Sequence, residues 1–252
     1  MSSHTTDDIE STNPDEPVRW VTDPISLDKL RITPGHDQAA NQLAPILLDA
    51  LQTYEKVIFA AGGESGTGKS EIAYLVGEML KKQGVPIIAW SFDNAYVTTP
   101  DEREEKRAQD YDNNVGLNEM NGSRIEAVMS AFEQDRPITV PIVIIQADGS
   151  RPTKQITLDM QDKRVLIVDG LYAALIGQMR TRDNKATRIV VMNEKRFDLN
   201  AQKERGKEKV NEHRMKVLER ECRAVRSLWP YVTHKISEDW RVSAIPIGNN
   251  QS

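Results

Sequence analysis

The chain has 252 residues, 38% hydrophobic and 28% charged, with a net charge of −5. That length suits one α/β domain, and so mild an acidity implies no basic face, so nucleic acid is not an expected partner. The single cysteine, Cys222, excludes an internal disulfide and a cysteine-built zinc site, and no apolar run approaches the roughly 20 residues needed to span a bilayer.

Residues 1–17 are polar, acidic and punctuated by proline, which predicts a disordered tail ahead of a single domain over 18–252. "MSSHTTDDIESTNPDEP" has no signal-peptide core, so the expected location is cytoplasmic. Pro34-Gly35 predicts a turn. "DQAANQLAPILLDALQTYEK" then carries helical apolar spacing, with Pro45 a potential interruption. It runs directly into a strand and is placed beside the sheet.

From Lys56 strands and helices alternate. "KVIFAAG" reads as a buried strand, "KSEIAYLVGEMLKKQG" as a helix stopped at Gly84, and "VPIIAWS" as the next strand. A polar region covers about 94–122. "SRIEAVMSAFEQD" predicts a helix with Ser123 as its cap. Two β-rich runs flank "ADGS", predicting a hairpin over about 138–158. "KRVLIVDG" and "ATRIVVMN" read as strands, and "KVNEHRMKVLERECRAVRSL" as a long charged helix in which Cys222 is structural. "VTHKIS" reads as a last strand. The alternation predicts an α/β fold: a mostly parallel sheet, helices on both faces, and a β-hairpin insertion.

Between the first buried strand and its helix, Gly63-Glu64-Ser65-Gly66-Thr67-Gly68-Lys69-Ser70 fits G-x-x-x-x-G-K-[ST] in full. Glycines free the backbone amides to wrap phosphates, and a helix N-terminus adds its positive dipole end. Lys69 supplies charge to the terminal phosphates, and the Ser70 hydroxyl can ligate Mg2+. The segment thus predicts a three-layer P-loop NTPase fold binding a nucleotide. "RDNKATR" lacks the aspartate of a guanine signal, so ATP is the expected donor.

Phosphoryl transfer needs metal ligands and, where a hydroxyl attacks, a proton acceptor. Acids at the C-terminal tips of parallel strands suit both tasks. Asp93 follows "VPIIAWSF" and Asp169 follows "KRVLIV", so Ser70, Asp93 and Asp169 are the candidate metal set.

"SFDNAYVTTP" resembles the D-x-F-Y segment of the uridine kinases and their phosphoribulokinase relatives. "VLIVDGLYA" resembles the "EGILA"-type segment of that family, and "KERGKE" its basic "ERGR" lid segment. The order of motifs also matches, over roughly residues 56–240. The resemblance implies a small-molecule kinase in which Asp93 is the base, Asp169 helps hold Mg2+ and Tyr96 faces the acceptor. It places Arg205, with Lys203 and Lys207, on a lid over about 200–210. Related kinases often associate, so a homo-oligomer is an open expectation. Where uridine kinases carry "F-D-H-P", this chain has "DYDNNVGLNEM", so uridine is not inferred. Arg103, Arg107, Asp112 and Asn113 offer donors and acceptors to a hydroxyl-rich or anionic small molecule. The rival expectation is a P-loop ATPase acting as a switch or assembly factor, with the long charged helix as its contact surface.

Overall fold

In the computed structural model, which describes residues 18–22, 29–144, 151–179, 186–196 and 211–246, the chain opens with an antiparallel pair, β1 (Arg19–Thr22) and β2 (Lys29–Ile32). Helix α1 (Pro34–Thr53), β3 (Lys56–Gly62), α2 (Lys69–Lys82) and β4 (Ile87–Ser91) follow. Then come α3 (Pro100–Gln109), the single turn α4 (Tyr111–Asn114) and α5 (Gly122–Glu133). The hairpin strands β5 (Ile138–Val143) and β6 (Thr153–Leu158) precede β7 (Val165–Asp169) and β8 (Ala186–Asn193). Helix α6 (Glu212–Arg226), β9 (His234–Ile236) and β10 (Val242–Ala244) close the described chain. The acidic tail, the "ADGS" turn and the 200–210 segment lie outside the described residues.

The central sheet has the order β10-β9-β8-β3-β7-β4. All neighbours pair in parallel except β10, which returns antiparallel beside β9. β3 is the axis, buried at all seven positions between β7 and β8. Side chains alternate across a strand, so its sequence supplies two cores at once. Ile58 and Ala60 join Phe132, Val168 and Tyr172 on one face. Val57 and Phe59 join Leu43, Leu47, Ile72 and Leu75 on the other, under α1 and α2. No helix among the described residues is long and apolar enough to cross a membrane.

Several local expectations are corrected. Pro34 and Gly35 begin α1 instead of turning the chain, because proline's fixed φ and missing N–H suit the first helical position. Helix α1 continues through Pro45; burial of Leu43, Leu47 and Leu51 offsets the lost backbone bond. The polar stretch after residue 94 contains α3 and α4, and α3 is started by a capping box between Thr99 and Glu102. "VTHKIS" forms β9, yet β10 follows it.

Helix α5 is capped by Asn121, whose side-chain oxygen accepts from the Arg124 amide at 2.9 Å, while Ser123 lies inside the helix. Asn121→Ala should therefore cost about 1 kcal/mol of stability in urea denaturation. Ser123→Ala should stay within about 0.5 kcal/mol. The reverse order would return the cap to Ser123.

Candidate active site

The glycine-rich loop joins the end of β3 to α2. Gly63, Gly66 and Gly68 all have positive φ. At Gly68 (φ 87°) a Cβ would also lie 2.4 Å from Nε2 of His36, so backbone and neighbour both require glycine. His36 comes from the first turn of α1 and stands edge-on to Trp240 at 4.7 Å. The loop also folds on itself. The Glu64 carbonyl accepts from Thr67 Oγ1 at 2.9 Å and from Lys69 Nζ at 3.0 Å. Asn193, at the tip of β8, donates its side-chain amide to the Thr67 carbonyl at 3.1 Å. These bonds hold the shape of the cradle, with the N-terminus of α2 at its base.

The expected acids meet at the strand tips. Ser70 Oγ donates to Asp169 Oδ2 at 2.6 Å. Asp169 pairs across the sheet with Ser91, so the 3-10 turn Phe92–Ala95 that follows β4 runs beside the turn that follows β7. Gly170 makes this approach possible: with φ 155°, a Cβ there would sit 2.7 Å from Phe92 Cβ and 3.5 Å from Asp93 Oδ1. The Asp93 carboxylate therefore lies against the chain immediately after Asp169. One hydroxyl and two carboxylates fit Mg2+, which keeps waters and substrate phosphates in its shell and needs no all-protein cage. Among the described residues no group of three or more His, Cys, Asp or Glu is placed to hold a metal ion.

The segment after Asp93 is held from two sides. Arg124 donates to the carbonyls of Asn94 and Tyr96 at 2.8 and 3.0 Å, and Asn94 accepts from the Val143 amide of β5 at 2.8 Å. Tyr96 is buried beside Tyr172, their ring centroids 6.5 Å apart. Burial, then the Asp93 charge, holds its hydroxyl protonated well above the usual phenol range. The Arg103 guanidinium lies over the Tyr96 ring at 3.8 Å.

The other expected acceptor ligands are committed elsewhere. Arg107 is buried and ion-paired to Glu119 at 2.7 Å and Glu221 at 3.0 Å. Burial alone would ease its proton off, but the Glu119 hydrogen bond and the Glu221 charge raise its affinity further. Asp112 pairs with Arg220 at 2.7 Å, and Asn113 Nδ2 donates to Asp110, the cap of α4, at 2.6 Å. These three residues fasten α3, α4 and α6 together. Arg205 lies outside the described residues.

A cavity of about 440 Å³ opens beside the loop, with Glu64, Asn193, Lys195, Arg226, Trp229 and Glu238 on its walls. The Glu64 carboxylate is buried and takes a 2.7 Å bond from Nε of Arg226, at the end of α6. Burial and the Glu64 carboxylate push the nearby Cys222 thiol up to about 12, which keeps it protonated and inert, as a structural cysteine should be. Asn193, Arg226 and His36 carry no motif, and only their long-range contacts reveal them.

Known proteins place the chain. Residues 58–217 match the model of the phosphoribulokinase/uridine kinase family. No curated protein matches in a sequence search. Among solved structures, a D-glycerate 3-kinase from Cryptococcus neoformans aligns with a TM-score of 0.55 at 12% identity, over 82% of this chain and 99% of that one. Phosphoribulokinase from Rhodobacter spheroides aligns with a TM-score of 0.52 at 12% identity, over 73% of this chain and 70% of that one. At such identities these two likenesses show a shared fold.

A buried carboxylate inside a polyphosphate cradle repels its ligand unless a cation neutralises it. Arg226→Met should therefore weaken nucleotide binding about tenfold, an amount reduced by the half-exposed position of the arginine. Glu64→Gln should remove the need for that cation, so the double variant should bind within about twofold of wild type. Isothermal titration across the four proteins measures this, and additive losses would exclude the neutralising role.

Proposed function

The chain belongs to the phosphoribulokinase/uridine kinase family and is a small-molecule phosphotransferase, and from that premise we propose that it moves the γ-phosphoryl group of ATP to a hydroxyl of a small metabolite. The observation that carries this reading is that Ser70, in the first turn of α2, bonds to Asp169 at the tip of β7, while Asp93, in the turn after β4, lies against Gly170 beside them.

Each residue has a task that follows from its position. The amides of Gly63–Ser70 and the dipole of α2 bind the phosphates. Lys69, held over the loop by the Glu64 carbonyl, turns its ammonium to the terminal phosphates and offsets charge as the group moves in line. Ser70 and Asp169 would hold Mg2+, with Asp93 near enough to join them. A bound Mg2+ would offset the negative charge that develops as the phosphoryl group moves. Asp93, pinned by the clamps on Asn94 and Tyr96, orients the acceptor hydroxyl and takes its proton. The cavity flanked by Trp229 takes the base. Acceptors of this reading are nucleosides, sugars or related metabolites.

Asp93→Asn should lower acceptor-dependent ADP release by roughly 100-fold or more, the usual scale for a lost general base, while ATP still raises the melting temperature as in wild type. Transfer at the wild-type rate would remove Asp93 from the role of base. Lys69→Ala should raise the KM for ATP, lower kcat, or both; unchanged values would place the donor elsewhere.

A further inference from the structure

Among its neighbours on α3, Arg103 stands out by what it does not do. Arg107, one turn further along, is saturated by Glu119 and Glu221. The Arg103 side chain makes no hydrogen bond or ion pair to any described residue, and its guanidinium lies over the face of Tyr96. Its Nε is nevertheless shielded from solvent and without a partner. A desolvated guanidinium N–H with no acceptor is costly, and such a group in a native fold calls for an explanation. Carboxylates are abundant on these helices, so the missing counter-charge is not a shortage of acids.

Position supplies the explanation. Tyr96 follows Asp93 by three residues, and Asp93 lies against Gly170, next to the Asp169–Ser70 pair. Arg103 thus lies over the face of the Tyr96 ring, whose hydroxyl is near enough to the Asp93 carboxylate to feel its charge. The Tyr172 hydroxyl, behind Tyr96, is likewise buried without a hydrogen-bond partner. Arg124, the other cation at this turn, is spent on the Asn94 and Tyr96 carbonyls.

We propose that the acceptor carries an anionic group, a carboxylate or a phosphate, beside the hydroxyl that is phosphorylated, and that Arg103 on the Tyr96 platform receives it. A planar guanidinium presents paired N–H groups that match either oxyanion, and stacking fixes its orientation in advance. A neutral nucleoside or sugar can offer the guanidinium a hydroxyl or carbonyl oxygen but no counter-charge, and hydrogen bonds between charged partners are roughly twice as strong as neutral ones. This inference rests on the kinase reading and narrows it.

The test measures ATP-dependent ADP release with four acceptor pools: nucleosides, neutral sugars, sugar acids and sugar monophosphates. Turnover confined to either anionic pool supports the proposal, and the pool that responds identifies carboxylate or phosphate. In that pool Arg103→Gln should raise the acceptor KM roughly tenfold to a hundredfold, the scale of a lost charged hydrogen bond, with little change in kcat. Arg103→Lys should recover only part of this, because an ammonium lacks the planar fork. The melting temperature of each variant shows that it folds. Turnover with neutral acceptors alone, or an anionic acceptor KM unmoved by Arg103→Gln, overturns the proposal and leaves the kinase reading standing. Release with no pool overturns both.

Discussion

A polyanion can be gripped by main-chain amides only where side chains are absent and the backbone is held in a shape it would not keep alone. Here that constraint falls on eight residues between β3 and α2. The glycines permit the dihedrals, but they also cost order, since glycine loses more freedom on folding than any other residue. The remedy is a set of anchors at the rim. Thr67 and Lys69 share the Glu64 carbonyl, Asn193 ties Thr67 to the tip of β8, and His36 fills the space above Gly68. The cradle hangs from β3, the central strand, which is buried at all seven positions.

The same sheet geometry assembles the acids. β3, β7 and β4 run parallel in register, so their C-terminal tips end at one level. Asp169 ends β7, the turn after β4 brings Asp93 against Gly170, and the glycine loop after β3 leads to Ser70, which bonds to Asp169. Gly170 is the condition for this, because any side chain there would push the turn after β4 away. The chemistry proposed for the site needs such groups close together, and the parallel arrangement brings the segments that bear them to the same edge of the sheet.

Much of this was legible in the sequence because the signals are local. The glycine motif, the strand-terminal acids and the hairpin flanks each occupy a few consecutive residues with one physical meaning. Even so, Pro34, Pro45 and Ser123 misled, since a proline in or before a helical pattern reads as a break until the buried face of α1 is seen. Arg107 read as an open donor for the same reason: arginine is usually exposed, and the carboxylates that bury it come from other parts of the chain. Asn193 and Arg226 meet the loop across 126 and 162 residues. No window of sequence contains both ends of such a contact, and neither residue sits in a motif of its own.

Helix α6 joins features that otherwise have little to do with one another. Its last residue neutralises Glu64 in the phosphate cradle, its middle carries Glu221 against Arg107, and its first turn sets His213 between Tyr111 and Glu104, at 2.8 and 3.1 Å. Fifteen residues make a rod about 22 Å long. These contacts fasten the helix to the cradle at one end and to α3 and α4 along its length, so a single element spans from the phosphate loop to the segment after the Asp93 turn. Nucleotide-side and acceptor-side elements therefore share one structural support, and the length of α6 sets the distance between them.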